Sequence, residues 1–208
     1  RRRFASVTPH PMRPSLVARS AVAVLLIACA GCVSSSGPEF KPDPGFVSLT
    51  NGSDLTGWRY KPDERFDGKT ESSDGRYTAR DGMIVVNDYV AARGPHLRQL
   101  WTTAEFPGNF ILRLEFRAAV NADSGIFIRE PQLQCRDYLV AGPYKDLKHY
   151  KPQDWNLIEV TVKDGVARCT CNGEVLQGAL KLPPTGPIGL EADRGQMEYR
   201  RIQLKRLP

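Results

Sequence analysis

Three charged side chains alternate with apolar ones in the segment Phe110-Ile-Leu-Arg-Leu-Glu-Phe-Arg117. Because successive side chains of a strand point to opposite faces, Arg113, Glu115 and Arg117 should share one face. A carboxylate on such a face can transfer protons, and an arginine can stabilise an oxyanion or bind hydroxyl groups. The pattern predicts a polar face on which acid–base chemistry is possible.

The two following segments carry a second set of polar side chains. Alternation in Asp123-Ser-Gly-Ile-Phe-Ile-Arg129 turns Phe127 and Arg129 outward, and in the next segment it turns Gln134 and Arg136 outward. Arginines and exposed rings suit the hydroxyls and flat faces of sugars. The alternative is a solvated outer face with ion pairs between neighbouring strands.

The elements that position these side chains are short strands. From Gly45 onward, alternating segments recur between turn signals, with Asp-Gly or Asn-Gly after Arg80, Lys163 and Cys171. We expect about ten strands, forming an all-β sandwich of two antiparallel sheets.

The first part of the chain differs from the rest. Residues 1–32 hold five of the 29 basic residues and no acidic one; without them, 24 basic and 23 acidic side chains remain. This balance argues against a nucleic-acid partner. The predicted organisation is an upstream stretch and leader over 1–32, a polar tether over 33–44 and one domain over 45–208.

The leader predicts export. A basic stretch precedes about ten apolar residues, too few to span a bilayer, and Cys29-Ala-Gly-Cys32 follows. This segment at the end of the apolar run resembles a bacterial lipobox. Cys32 would then be lipidated and would anchor the protein at the periplasmic or cell-surface side of a membrane. Cleavage at an ordinary secretory site is the alternative.

Three cysteines remain in the domain: Cys135, Cys169 and Cys171. At most one disulfide can form among them in an oxidising compartment. Cys169 and Cys171 share a strand face, which could suit a metal, and the other interpretation is that all three are buried as small apolar residues.

Several motifs in order resemble the 3-keto-disaccharide hydrolase domain family, a concanavalin A-like jelly-roll sandwich. They are Gly45 to Trp58, Asp81-Gly-Met83, Phe110 to Arg117, Asp123 to Arg129, Asp154-Trp-Asn156, Cys171-Asn-Gly-Glu174, Gly186-Pro-Ile-Gly-Leu190 and Glu198-Tyr-Arg-Arg-Ile202. The resemblance implies cleavage of glycosides oxidised at C3 of the sugar. A base removes the C2 proton, the glycosidic oxygen leaves by elimination, and water adds back.

The resemblance also suggests roles for residues. Glu115 is the expected base or metal ligand, Arg117 and Arg129 are the expected oxyanion clamps, and Asp137 joins them as a catalytic residue. The expected substrate-binding residues are Arg113, Phe127, Gln134, Arg136, Tyr144 and His149. The family often has Glu where this chain has Gln132, and the loop after Gln134 is short here.

The sequence also bears on two other functions. A retaining glucanase of this fold would carry Glu-x-Asp-x-x-Glu on one strand, and that string is absent. A non-catalytic carbohydrate-binding surface lipoprotein is the alternative to an enzyme, since fold does not fix function. No cofactor is predicted with certainty; a divalent metal is compatible, although neither His96 nor His149 belongs to a ligand-spaced pair. Trp58 and Trp155 are expected in the core, and Trp101 could be a sugar platform.

Overall fold

A computed structural model describes residues 40–137 and 142–208, and these form a two-sheet β-sandwich. The only helix within those ranges is a 3-10 helix at Gly142–Asp146. The strands are β1 Val47–Ser48, β2 Trp58–Tyr60, β3 Glu64–Arg65, β4 Tyr77–Arg80, β5 Met83–Val86, β6 Arg98–Thr102, β7 Phe110–Ala118, β8 Asp123–Ile128, β9 Gln132–Arg136, β10 Asn156–Lys163, β11 Val166–Cys171, β12 Glu174–Lys181, β13 Ile188–Ala192 and β14 Met197–Arg206. The predicted leader with Cys32, and tether residues 33–39, lie outside the described ranges.

The strands pair in two antiparallel sheets. The eight-stranded sheet has the order β12-β11-β10-β7-β14-β5-β4, with β1 also paired to β14. The six-stranded sheet has the order β3-β2-β6-β13-β8-β9. The prediction of an all-β jelly-roll sandwich is confirmed.

The predicted hairpins form at the expected turns. Asp81 and Gly82 both have positive φ, 51° and 74°, and join β4 to β5 with Arg80 opposite Met83. This is the backbone geometry that two-residue hairpins require, and Asp-Gly adopts it at little cost. Asp164-Gly165 and Asn172-Gly173 repeat the arrangement in the eight-stranded sheet.

The core lies between the inner faces of the two sheets. On β7, Phe110, Leu112, Leu114 and Phe116 are at most 1% exposed, as the alternation predicts. Trp58 is fully buried and donates its indole hydrogen to the carbonyl of Leu49 at 3.0 Å, as expected of a core anchor.

The domain's three cysteines are buried free thiols in this core. Burial raises the pKa of Cys169 and of Cys171 to about 12, so both remain protonated and apolar in character. Residues 40–137 and 142–208 contain no helix long and apolar enough to cross a membrane.

Candidate functional site

The side chains expected to form one site are divided between the two sheets. Glu115 and Arg117 lie on β7 of the eight-stranded sheet, whereas Gln134 lies on β9 of the six-stranded sheet. The inner faces of a sandwich pack together, so its outer faces point in opposite directions. The expected single cluster is therefore not assembled.

The outer face of the eight-stranded sheet carries cross-strand ion pairs. Arg113 Nε lies 2.7 Å from Glu159, and Arg117 Nε lies 2.5 Å from Glu198. Glu115 lies 2.6 Å from Arg200 and 3.0 Å from Arg201. These contacts match the alternative that the sequence left open, in which the charges of β7 pair with neighbouring strands.

Trp155 belongs to the same outer face. Its ring lies 3.8 Å from the guanidinium carbon of Arg200 and 4.8 Å from that of Arg117. The expectation of a core position for Trp155 is wrong, because this half-buried ring covers paired arginines instead.

Arg129 is buried rather than directed outward, which corrects the alternation-based prediction. It follows the last residue of β8, has a φ of 68° and is 1% exposed. Its guanidinium donates hydrogen bonds to the carbonyls of Phe106, Pro183 and Gly108 at 2.9, 2.6 and 2.6 Å. The side chain joins two connecting segments and presents no free donor fork to a ligand.

Asp137 and Tyr144 are also buried, at 0% exposure. One Asp137 oxygen accepts the backbone N–H of Asn121 at 2.9 Å. The Tyr144 hydroxyl donates to the carbonyl of Gln134 at 2.6 Å, and its ring packs against Phe116 in the core. Both positions stabilise the end of the sandwich at the close of β9.

His149 lies on an exposed loop. Its Nδ1 is 3.7 Å from Glu174, whose carboxylate also accepts the His149 backbone N–H at 2.6 Å. Glu174 begins β12, at the edge of the eight-stranded sheet, so the His149 side chain is engaged there, although the hydroxyl of the next residue, Tyr150, donates to the backbone carbonyl of Arg136 at 3.2 Å.

The outer face of the six-stranded sheet brings together an aromatic pair. Strand register sets Trp101 opposite Gly189, and Gly189 opposite Phe127. The two rings meet above Gly189 with centroids 5.0 Å apart. A Cβ at residue 189 would lie 2.8 Å from the Trp101 ring, so only glycine leaves room for this contact. Phe127 is half-buried, and Trp101 is buried at 8% exposure.

A carboxylate lies beside this pair. Glu191 follows Gly189 by two positions on β13, points to the same outer face, and is opposite Gln99. It is 7% exposed, and desolvation by burial raises its pKa, with the charges of Asp193 and Asp123 adding to the shift. Hydrogen bonds from Gln132 and Gln99 oppose the shift without cancelling it.

A row of side chains along β9 ends at this carboxylate. Arg136 donates to Gln134, Gln134 donates to Gln132 at 2.8 Å, and Gln132 donates to Glu191. Arg136 also pairs with Asp123, its register partner on β8, at 3.1 Å. We call these four side chains, Arg136, Gln134, Gln132 and Glu191, the β9 row.

One end of the site is closed by the loop before β6. His96 Nδ1 lies 3.5 Å from Asp193, one residue past the end of β13. The buried Arg76 holds this loop by donating to the carbonyls of Asn87, His96 and Asp193. A histidine–carboxylate pair therefore stands at the same end of the six-stranded sheet as Glu191.

The described ranges contain no cluster of three or more His, Cys, Asp or Glu side chains arranged to hold a metal. The candidate carboxylates at Glu191, Asp193 and Asp123 are engaged with Gln132, His96 and Arg136 respectively. Their arrangement fits proton transfer better than a closed ligand set.

Sequence reasoning missed Glu191, although its signal was present. The motif Gly186-Pro-Ile-Gly-Leu190 runs into β13, and when Ile188 and Leu190 point inward, Gly189 and Glu191 point outward. A strand glycine beside a carboxylate marks a close approach by another side chain, here Trp101, next to a proton acceptor.

The structure therefore combines a jelly-roll sandwich with an aromatic pair and a desolvated carboxylate on one outer face. Residues 45–205 match the family model described as the 3-keto-alpha-glucoside-1,2-lyase-like domain, and the chain belongs to this family. Membership supports a carbohydrate-related hydrolase or lyase activity and a saccharide partner. No curated protein matches the chain.

Solved structures share the fold at low sequence identity. A candidate glycosyl hydrolase from Parabacteroides distasonis ATCC 8503 is 17% identical, with a TM-score of 0.59, covering 79% of this chain and 95% of its own. A second from the same organism is 17% identical, with a TM-score of 0.56 and coverages of 78% and 99%. These likenesses show the sandwich fold.

Proposed function

We propose that this protein cleaves 3-keto glycosides on the outer face of the six-stranded sheet, with Glu191 as the base that removes the C2 proton. The observation that carries the proposal is the state of Glu191. Glu191 is only 7% exposed, desolvation raises its pKa, and its carboxylate lies beside the Trp101 and Phe127 rings, on which a sugar ring can rest. A general base is most effective when its pKa approaches the working pH.

The reaction follows from the electronics of a 3-keto sugar. Glu191 takes the proton from C2, the C–H electron pair forms the C2=C3 bond, and the C3 oxygen becomes an oxyanion. When the C3 carbonyl re-forms, the C2=C3 electron pair becomes a C1=C2 bond, and the glycosidic oxygen leaves C1 with its bonding electrons and takes up a proton. Water then adds to C1 and a proton returns to C2 across this double bond, so the net change is hydrolysis.

The other side chains of this face have roles in binding and proton supply. Phe127 supplies an apolar edge for the pyranose, and Gln134 and Arg136 supply polar groups along the β9 row. His96, held by Asp193, is the proton donor to the leaving oxygen. Arg113, Glu115, Arg117, Arg129, Asp137, Tyr144 and His149 lie elsewhere in the fold and are not part of this assignment.

The test is turnover of a 3-keto glucoside with a chromogenic leaving group, compared with the unoxidised glucoside. Glu191→Gln should lower kcat by about 100-fold or more, because general-base catalysis contributes ~10²–10⁴. Glu115→Gln is the matched control: it makes the same change to an ion-paired glutamate on the opposite outer face and should leave kcat unchanged. Full activity in Glu191→Gln would contradict the proposal, and loss of turnover in Glu115→Gln would instead place the base on the opposite outer face.

A carbohydrate-binding role without catalysis makes a different prediction for the same proteins. Saturable binding of the sugar by calorimetry, with no release from either glucoside, would favour a binding module and would overturn the enzymatic proposal. The aromatic pair favours saccharide binding in both cases.

We also propose that the protein is exported and anchored through a lipid on Cys32, on the strength of the leader sequence. The test is fractionation with metabolic labelling by a radioactive fatty acid, using Cys32→Ser and Cys29→Ser as variants. Label lost only in Cys32→Ser supports the anchor, and equal labelling of the two variants contradicts it.

A further inference from the structure

A lysine lies directly on the aromatic pair of the candidate site. The Lys61 ammonium is 3.8 Å from the centroid of the Trp101 ring, and Lys61 is otherwise exposed at the end of β2. Trp101 is only 8% exposed, so Lys61 occupies ring surface that the sequence had suggested as a sugar platform. A ligand that enters here meets the ammonium first.

Neighbouring cations of the six-stranded sheet are paired with carboxylates, whereas Lys61 contacts an aromatic ring. Arg59 pairs with Asp63 at 3.4 Å, and Arg136 pairs with Asp123 at 3.1 Å. No ion pair to Lys61 is formed by residues 40–137 or 142–208. A cation held only by a ring at an exposed site is held weakly. Its flexible four-carbon stem can move the charge onto a bound anion.

The register places the ring under this ammonium diagonally across from Glu191. Trp101 is opposite Gly189, which makes Trp101 and Glu191 diagonal neighbours on one face. Such neighbours are roughly 7–8 Å apart. The Trp101 ring itself covers Gly189, so a sugar would rest on the rings, with Lys61 on one side and Glu191 on the other.

We infer that Lys61 is a further catalytic residue. Its ammonium moves off the Trp101 ring and donates a hydrogen bond to the C3 oxygen of the keto sugar. This inference rests on the proposed function. When Glu191 removes the C2 proton, negative charge develops on the oxygen bound to the neighbouring carbon, C3. Enediolate formation therefore requires a base beside C2 and a cation beside the C3 oxygen, and Glu191 and Lys61 supply them.

The two arginines expected to perform this task are committed elsewhere. Arg117 is paired with Glu198 on the opposite outer face, and Arg129 donates to three buried carbonyls. Lys61 supplies the positive charge that the reaction needs without breaking an ion pair.

The experiment compares Lys61→Met, Lys61→Arg and Lys69→Met in the full chain. Methionine retains an apolar stem over Trp101 and removes the charge, and Lys69 is a matched lysine over another ring, that of Phe66, at 5.8 Å. Two readouts are used: kcat and KM for the chromogenic 3-keto glucoside, and exchange of the C2 proton of that sugar with solvent deuterium by NMR.

Lys61→Met should lower kcat and the C2 exchange rate together by about 100-fold, as loss of an oxyanion donor does, with little change in KM. Lys61→Arg should recover part of the loss, and Lys69→Met should match the wild type. Wild-type turnover in Lys61→Met, or a raised KM with unchanged kcat, would overturn the inference and leave the proposed function standing. Absence of both cleavage and exchange in the wild type would instead overturn the proposed function itself.

Discussion

The buried guanidinium of Arg129 allows a sharp test of structural against catalytic importance. Substitution by methionine retains the length and apolar character of the stem and removes every donor. The carbonyls of Phe106, Gly108 and Pro183 then lose their partners, in the segments that precede β7 and β13. We expect this variant to lose stability rather than chemical competence.

The expected loss can be worked from these three contacts. A hydrogen bond to a charged group contributes about 1.5–3 kcal/mol, and the Arg129 bonds to Gly108 and Pro183 are only partly buried, so water can replace some of them. We therefore expect the three lost bonds to lower the free energy of unfolding by about 3–5 kcal/mol, near the lower end of their summed range. For a domain of this size, such a loss lowers Tm by roughly 10 °C.

The assay is urea and thermal unfolding followed by tryptophan fluorescence, with Arg168→Met as control because Arg168 is an exposed arginine on β11. Turnover should be measured below the transition, where the variant is folded. A wild-type unfolding midpoint combined with lost turnover would refute the structural role and return Arg129 to the catalytic machinery.

Three further predictions concern the two outer faces. The folded-state pKa of Glu191 is raised, so the stability that this residue contributes is complete below the unfolded pKa of about 4.3 and is lost as pH rises through the folded value. In urea titrations, the stability of Glu191→Gln relative to the wild type should therefore increase with pH. A difference in stability that does not change with pH would contradict the raised pKa. Glu115→Gln should cost about 0.5–1.5 kcal/mol, since two partly exposed ion pairs are weakened, and the cost should shrink in high salt. Gly189→Ala should place a methyl group against Trp101, lower stability by about 1–3 kcal/mol and weaken sugar binding measured by calorimetry; wild-type behaviour would show that the ring has room to move.

Alternation predicted which face each strand presents, but not which sheet the strand joins. On β7, the inward set from Phe110 to Phe116 was predicted correctly because both sheets of a sandwich obey the same period of two. The same period cannot distinguish β7 in one sheet from β9 in the other. Glu115 and Gln134 were grouped for that reason, although they lie on opposite sides of the molecule.

The position of Arg129 was missed because the period was extended past the end of a strand. β8 ends at Ile128, and at the next residue the backbone turns into the left-handed region, which redirects the side chain inward. Pro131 marks a turn after β8, but nothing in the local sequence shows that Arg129 itself adopts positive φ. By contrast, the Asp81-Gly82 turn was predictable because its residue types favour positive φ.

All the hydrogen bonds of the β9 row run the same way, from Arg136 through Gln134 and Gln132 to Glu191. The row therefore has a polarity, in which each amide turns its positive end toward the carboxylate and its negative end toward the arginine. Reversing one amide would break the bonds on both sides of it, so the orientation of the whole row is fixed by its charged ends. A change at Arg136 alone would thus be felt at Glu191, three side chains away, without any direct contact between them.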